Sequence, residues 1–434
     1  MKKFLKKVFP FQGKAAKTLG AFSGAAMLND TGEEMFAPFL PLFATVFLGM
    51  SPEQYGIMEG MVEAVNRVLR TFTGALSDRW SRKLPVVLGY VLISFSRILM
   101  AFVHTWYWLV GARAVRQVGR SMRDPAREAA IADNIDQELR GKAFGFLNAV
   151  DTFGAVLGPA VGLGILSLVS FGFLSFNPGR QFSEHAFRWL FVLAAIPTFI
   201  SALIIMKFLP EKNQGKPESA DDKTADKENL DLKSEENQGF WAGIKSYMTH
   251  KEIKKMTASN VMLAMGAVPI SMMLLYVYKH FSASAAAGGI LFIVYSIAHF
   301  LTSYPAGDVA DRIGGKKTQI LAVFFLIAAF ASLMVAPSDF WCFPAFIFYA
   351  CFDSLWLVNR RAIMCRYAPE DRRGQFLGTF STFYGLSSFL APILVGIIWQ
   401  RIGAYHAFGF ACIIAAFSLF FMPSDEGGNK QCSA

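Results

Sequence analysis

Long apolar stretches limit what this chain can become. Leu84–Phe102, Leu190–Phe208, Ile290–Ser303, Thr318–Val335 and Phe408–Met422 carry almost no charge. Several of them reach the roughly 20 residues that a helix needs to cross a hydrocarbon core. Of the 434 residues only 17% are charged, against about a quarter in a soluble domain. Backbone groups in lipid must satisfy one another, which a helix does within a single segment. The chain therefore reads as an all-α polytopic membrane protein.

Helices are expected to begin near residues 18, 55, 85, 106, 142 and 187, and again near 252, 283, 316, 340, 374 and 402. That makes twelve transmembrane helices, six on each side of a polar stretch, "EKNQGKPESADDKTADKENLDLKSEENQG", read as a disordered linker. The expected divisions are a basic tail at 1–17, a six-helix bundle at 18–209, the linker at 210–245, a second six-helix bundle at 246–423 and a tail at 424–434. Residues 2–9, rich in lysine and aromatic side chains, are read either as a membrane-surface segment or as a disordered tail.

The formal charge of +10 has a membrane meaning before a nucleic-acid one. Basic residues gather in the N-terminal tail, Arg79–Lys83, Arg140–Lys142, Lys207–Lys255, Arg312–Lys317 and Arg366–Arg373, while the alternate connections hold few. By the positive-inside rule the basic set is cytoplasmic, and so are both termini. A bacterial inner membrane is the expected location, with the lipid bilayer as a partner and no nucleic acid. Five cysteines without paired spacing read as small core residues.

The two halves repeat at one offset. "GALSDRWSRK" (74–83) falls on "GDVADRIGGK" (307–316), so that Gly74, Asp78 and Arg79 meet Gly307, Asp311 and Arg312. The same shift of 233 carries "LRGKAFGF" onto "RRGQFLGT", Pro159 onto Pro392 and Arg127 onto Arg360. A parallel duplication of six spans is an architecture of secondary transporters.

The loop "GALSDRWSRK", echoed in the second half, resembles the signature loop of the major facilitator superfamily: a Gly, an Asp four residues on, then Arg and a basic pair, here Arg82 and Lys83. Ser81 stands where that pattern usually has Gly. The resemblance covers the whole chain and implies two pseudo-symmetric six-helix bundles that act as a monomer. It also implies that Asp78 and Asp311 each face a helix start in the opposite half as gating latches, a carboxylate-to-dipole contact of about 0.3–2 kcal/mol. Gly74 and Gly307 are expected to allow close helix approach. The span "GFLNAVDTFGAVLGPAVG" keeps the glycine spacing of the family's antiporter signature at Gly145, Gly154, Gly158, Pro159 and Gly162, with Leu163 in place of the last glycine. That likeness implies export in exchange for protons; helix packing explains the glycines as well.

Charge inside the spans is lopsided towards the first half. Arg113, Arg116, Arg120, Arg123 and Arg127 recur in steps of three and four, one stripe on a helix. Arg123 and Arg127 are expected at the cytoplasmic edge, where long side chains snorkel. Arg113 and Arg116 lie deeper, where an arginine costs about 2.5–3.5 kcal/mol unless it faces water or a carboxylate. Asp30, Glu34, Glu63 and Asp151 are the expected partners, and the stripe is expected to line a transport cavity. Glu33 and Arg97 are further charges in spans one and three. Glu63 with Arg67 in span two, and Asp353 with Arg360 in span ten, complete the set of proton-coupling or cavity residues. Arg113 also resembles the family's span-four arginine associated with proton coupling, although the residues after it do not fit.

These features favour a secondary transporter of a small organic solute, cycling by alternating access and coupled to protons as an exporter. Proton-coupled uptake is the alternative, and a transport-inactive receptor on the same fold is a third reading. No nucleophile elbow, phosphate loop or metal-spaced histidine cluster is present, so neither an enzyme nor a cofactor is expected. The apparent excess of arginine suggests an anion, such as a carboxylate metabolite or siderophore. The many Phe and Met side chains fit an amphipathic drug equally well.

Overall fold

The computed structural model describes residues 11, 13–79, 82–135, 139–171, 182–209, 251–367 and 373–422. The linker at 210–245, the tail at 424–434 and residues 2–9 lie outside the described residues. Among these residues fourteen α-helices follow in chain order: α1 (Gly13–Glu34), α2 (Leu40–Val46), α3 (Pro52–Arg79), α4 (Lys83–Ala101), α5 (Trp106–Asn134), α6 (Arg140–Phe171), α7 (Glu184–Phe208), α8 (Lys251–Gly266), α9 (Ile270–His280), α10 (Ala285–Ile313), α11 (Gly315–Val335), α12 (Phe343–Tyr367), α13 (Arg373–Arg401) and α14 (Ala404–Phe417). The architecture is all-α and membrane-spanning.

Two of the twelve expected spans are broken, which the continuous apolar pattern does not reveal. The first stops at Glu34, passes through a 3-10 turn at Ala37–Phe39 and resumes as α2. The seventh stops at Gly266 and resumes at Ile270, just after Pro269. A break leaves backbone carbonyls without helical donors, and in lipid they need another partner. Tyrosine supplies it at both: Tyr278 Oη donates to Pro38 O (2.9 Å), and Tyr349 Oη donates to Val268 O (2.7 Å).

Among the described residues nine helical segments are long and apolar enough to cross a membrane. The rest of the twelve are the α1–α2 span, α3 and α5, whose apolar pattern is interrupted by charged residues. Large apolar side chains such as Trp108, Phe95, Trp189 and Phe324 are exposed, as lipid-facing positions require.

The chain divides into two compact units. The first comprises Met1–Ser51, Met61–Asn213 and Leu274–Ile293; the second comprises Pro52–Gly60, Gln214–Met273 and Val294–Ala434. Within the first, α1 packs on α6 and α7, and α4 packs on α5 and α7. A methyl group on Gly89 of α4 would come 2.6 Å from Gly119 O of α5, so these helices cross nearly backbone to backbone. Within the second, α8 packs on α13 and α14, and α11 on α12. There a methyl group on Gly60 would lie 2.5 Å from Phe389 O, and one on Gly396 would lie 2.7 Å from Pro52 O. Gly314, at φ +80°, makes the tight link between α10 and α11, a conformation that side chains with a Cβ rarely adopt.

Candidate functional site

The sequence places an arginine on each turn of α5 from Arg113 to Arg127, and the fold decides what each one meets. A cavity of about 240 Å³ opens in the first unit between α1, α4, α5 and α6. Four arginines of α5 (116, 120, 123 and 127) line it, together with five carboxyl groups: Asp30, Glu33, Glu34, Asp124 and Asp151. The buried Arg97 stands directly behind Glu33. The arginines are thus matched by carboxylates inside one unit. This cavity has no surplus of positive charge, and its arginines do not by themselves argue for an anionic solute.

Glu33 is the hub. Its Oε2 accepts from Arg97 Nη2 (3.0 Å) and Arg116 Nε (2.9 Å), while its Oε1 lies 2.6 Å from Arg116 Nη2. Arg97 is fully buried. Its Nη1 donates to Ala194 O (2.8 Å) and to the Thr198 hydroxyl, its Nη2 also donates to Asn29 O (3.1 Å), and its guanidinium sits 5.8 Å from the Phe36 ring centroid. Gly32 makes room for it: a methyl group there would run into Arg97 Nη1 and approach Ala194 O to 2.6 Å. A buried guanidinium is tolerated only when paired and hydrogen-bonded in this manner.

The sequence pointed Arg116 at Asp30, Glu34, Glu63 or Asp151; it pairs with Glu33 instead. Asp30, Glu33 and Glu34 share one turn of α1, so spacing does not choose among them. Only the position of Arg97 does. A lone arginine inside an apolar run was the available signal.

Arg123 and Arg127 do not reach for solvent. Arg123 is buried, donates to Asp124 from Nε (2.9 Å) and Nη2 (2.7 Å), and lies 5.1 Å over the Tyr90 ring. Arg127 Nη1 lies 3.6 Å from Asp151 Oδ2. Carboxylates on the same and the neighbouring helix hold them inside the bundle. Asp30 accepts from Asn29 Nδ2 at 2.8 Å. Two carboxyl oxygens of the cavity, Glu34 Oε2 and Asp151 Oδ1, are buried without a hydrogen-bond donor among the described residues.

Other expected site residues lie elsewhere. Glu63 and Arg67 pair with each other one turn apart (2.7 Å), a third exposed and outside the cavity lining; such pairs contribute about 0.3–0.5 kcal/mol. Arg113 is likewise not among the cavity's lining residues. Asp353 and Arg360 belong to the second unit. There Asp353 Oδ2 accepts from Tyr295 Oη (3.0 Å) and lies 3.4 Å from His299 Nε2.

The glycine expectations divide. Methyl groups on Gly154 and Gly158 of α6 would come within 2.5 Å of Met27 O and 2.6 Å of Thr31 O, and one on Gly162 would collide with Met35 O. These three, beside Pro159, let α6 lie against α1. Among the described residues Gly145 and Gly307 have no atom near enough to meet a Cβ, and neither makes there the close approach expected of it. Of the loop residues, Asp311 and Arg312 are exposed, and Arg82 and Lys83 are half-buried at the start of α4. The surroundings of Gly74, Asp78 and Arg79 lie outside the described residues.

The sequence model of the Major Facilitator Superfamily matches residues 22–259 and 256–433. An MFS-type transporter of Methanocaldococcus jannaschii is 27% identical over 91% of each chain. A class C tetracycline resistance protein of Escherichia coli is 24% identical over 96% of this chain and 98% of its own. Among solved structures, the fold is similar to a bacterial homolog of the human lysosomal transporter Spinster (TM-score 0.70, 14% identity, 95% and 96% of the two chains). It is also similar to a D-xylose–proton symporter (TM-score 0.68, 16% identity, 95% and 98%).

Proposed function

The chain belongs to the Major Facilitator Superfamily, and is a membrane transporter of small molecules and not an enzyme; within that family we propose that it exports a small organic solute in exchange for protons. It does so by alternating access, as a monomer in a bacterial cytoplasmic membrane with both termini on the cytoplasmic side. The linker at 210–245 serves as a tether between the halves.

The observation that carries the proton reading is the division of labour among the carboxyls of the first unit. Glu33 is fully occupied by Arg97 and Arg116. Glu34 and Asp151 each present a buried oxygen with no donor among the described residues. A proton taken up on either oxygen removes a buried negative charge that no donor compensates there, and turns that oxygen into an O–H donor. At Asp151 the same proton removes the charge that faces Arg127, 3.6 Å away, and frees that arginine to re-pair. A local charge change acting on a two-state fold is the general form of such a switch. The glycines of α6 tie this region to α1, so a re-pairing at Asp151 bears directly on how these helices pack. The likeness of that helix to the family's antiporter signature supports export, and a relative named for antibiotic resistance is in keeping with it.

The test is uptake of a panel of labelled organic solutes into everted membrane vesicles under an imposed pH gradient, acidic inside. A solute that accumulates only with that gradient, and not with the reverse one, fits proton-exchange export. Accumulation under the reverse gradient would mean symport. Movement indifferent to the gradient would rule out proton coupling.

A further inference from the structure

The acids of the first unit's cavity are not a requirement of the fold. At the shift of 233, Asp30, Glu33 and Glu34 of α1 fall on Leu263, Gly266 and Ala267, and Asp151 of α6 falls on Tyr384. The corresponding helices of the second unit form without them. Burying such charge costs stability unless each group is paired and hydrogen-bonded. An acid that its counterpart does without therefore calls for a use.

The ion pairs of the cavity differ in how complete they are. Glu33 holds Arg97 and Arg116, and Asp124 holds Arg123, all at hydrogen-bond distance. Arg127 and Asp151 do not complete each other. Arg127 Nη1 stands 3.6 Å from Asp151 Oδ2, beyond hydrogen-bond length. Arg127 Nε and Asp151 Oδ1 have no hydrogen-bond partner among the described residues. Both side chains line the cavity, with 15% and 17% of their surface open. A cation and an anion side by side, each with capacity to spare, match a ligand that carries the two opposite charges on neighbouring groups. The head of an α-amino acid does so, with carboxylate and ammonium on one carbon. The guanidinium suits the carboxylate, and Asp151 suits the ammonium.

The rest of the lining sets the character of the side chain. Asn29, Asp30 and Arg120 supply donors and acceptors, and Ile93 is the only apolar residue among the described ones that line the cavity. Its volume of about 240 Å³ is below the roughly 300–1,000 Å³ of drug-sized sites, which are mostly apolar. An amphipathic drug finds no apolar wall here, whereas a small polar side chain finds partners.

We propose that Arg127 and Asp151 grip the head group of a polar α-amino acid in this cavity, and that such zwitterions are the transported class. This rests on the proton-exchange reading above and deepens it by naming the solute. A proton on Asp151 cancels the charge that holds the ammonium, so solute and proton compete for that carboxylate.

Purified full-length protein in detergent, titrated calorimetrically with L-serine, L-asparagine and L-glutamine, tests the assignment without any pH gradient. For each, the α-carboxamide lacks the carboxylate and the des-amino acid lacks the ammonium; L-norleucine keeps the head group on an apolar chain. Wild type should bind at least one of the three at least tenfold more tightly than its two analogues or L-norleucine. Arg127→Gln should lower the affinity for that amino acid to the level of its carboxamide, and Asp151→Asn to the level of its des-amino acid. The wild-type series decides alone if either variant folds poorly. Absence of binding to wild type, an analogue that binds as tightly as its parent, or unchanged affinity in both variants would overturn the site. Gradient-driven export of a solute that is not a zwitterion would overturn this assignment and leave the proton reading standing. Binding of the amino acid without gradient-driven movement would do the reverse.

Discussion

Arg97 Nη2 lies 3.0 Å from Glu33 Oε2, in a setting where the guanidinium has no exposed surface. Glu33 also holds Arg116, so one carboxylate compensates two arginines. Removing a single partner from a buried pair costs about 3–5 kcal/mol, because the remaining charge stays in place. Glu33→Ala is therefore expected to lower thermal stability in detergent more than Arg97→Ala, which leaves Glu33 its second partner. Equal melting shifts for the two variants would mean that Glu33 is not the hub.

Gly32 and Gly162 are each expected to reject a methyl group. Gly32→Ala and Gly162→Ala should destabilise by about 1–3 kcal/mol, the usual cost of overpacking. Gly145→Ala, in open space, should be neutral or gain up to about 1 kcal/mol from helix propensity. Detergent melting curves of the three variants check the ranking.

Much of the fold could be read in the residues, and much of the site could not. The apolar runs, the basic connections and the repeat at 233 place the helices close to where they form. The breaks after Glu34 and Gly266 do not show in hydropathy, which carries straight through them, although Pro38, Pro41 and Pro269 mark them. The arginine stripe is plain from its spacing, whereas its partners depend on which helix lies opposite. Arg97, alone in an apolar helix, finds Glu33 only through packing. Glycine spacing has the same limit: Gly145 and Gly162 look alike in a pattern, and only α1, lying against one of them, tells them apart.

Arg127 and Asp151 should behave as a coupled pair. A double-mutant cycle with Arg127→Gln and Asp151→Asn is expected to give a coupling of about 0.5–3 kcal/mol. Stability loss that simply adds would show that their approach to 3.6 Å carries no energy.

The loop carboxylates are expected to be unequal. Asp78→Asn should reduce transport more than Asp311→Asn, with normal membrane levels of both, because Asp311 is exposed and the first loop keeps more of the family pattern in Arg82 and Lys83. Gradient-driven vesicle uptake beside immunoblots of membrane fractions provides the comparison. Wild-type activity in Asp78→Asn would remove the latch.

The central claim is that the spare carboxyl oxygens of the first unit carry the proton, and Glu34→Gln tests it most directly. In reconstituted vesicles, with the solute that the uptake panel identifies, two measurements are made on one preparation: exchange of labelled for unlabelled solute without a pH gradient, and accumulation driven by one. The glutamine side chain has its own permanent donor and cannot release a proton. Exchange should persist while gradient-driven accumulation falls at least tenfold. Accumulation equal to wild type in Glu34→Gln, and again in Glu34→Gln combined with Asp151→Asn, would contradict the account.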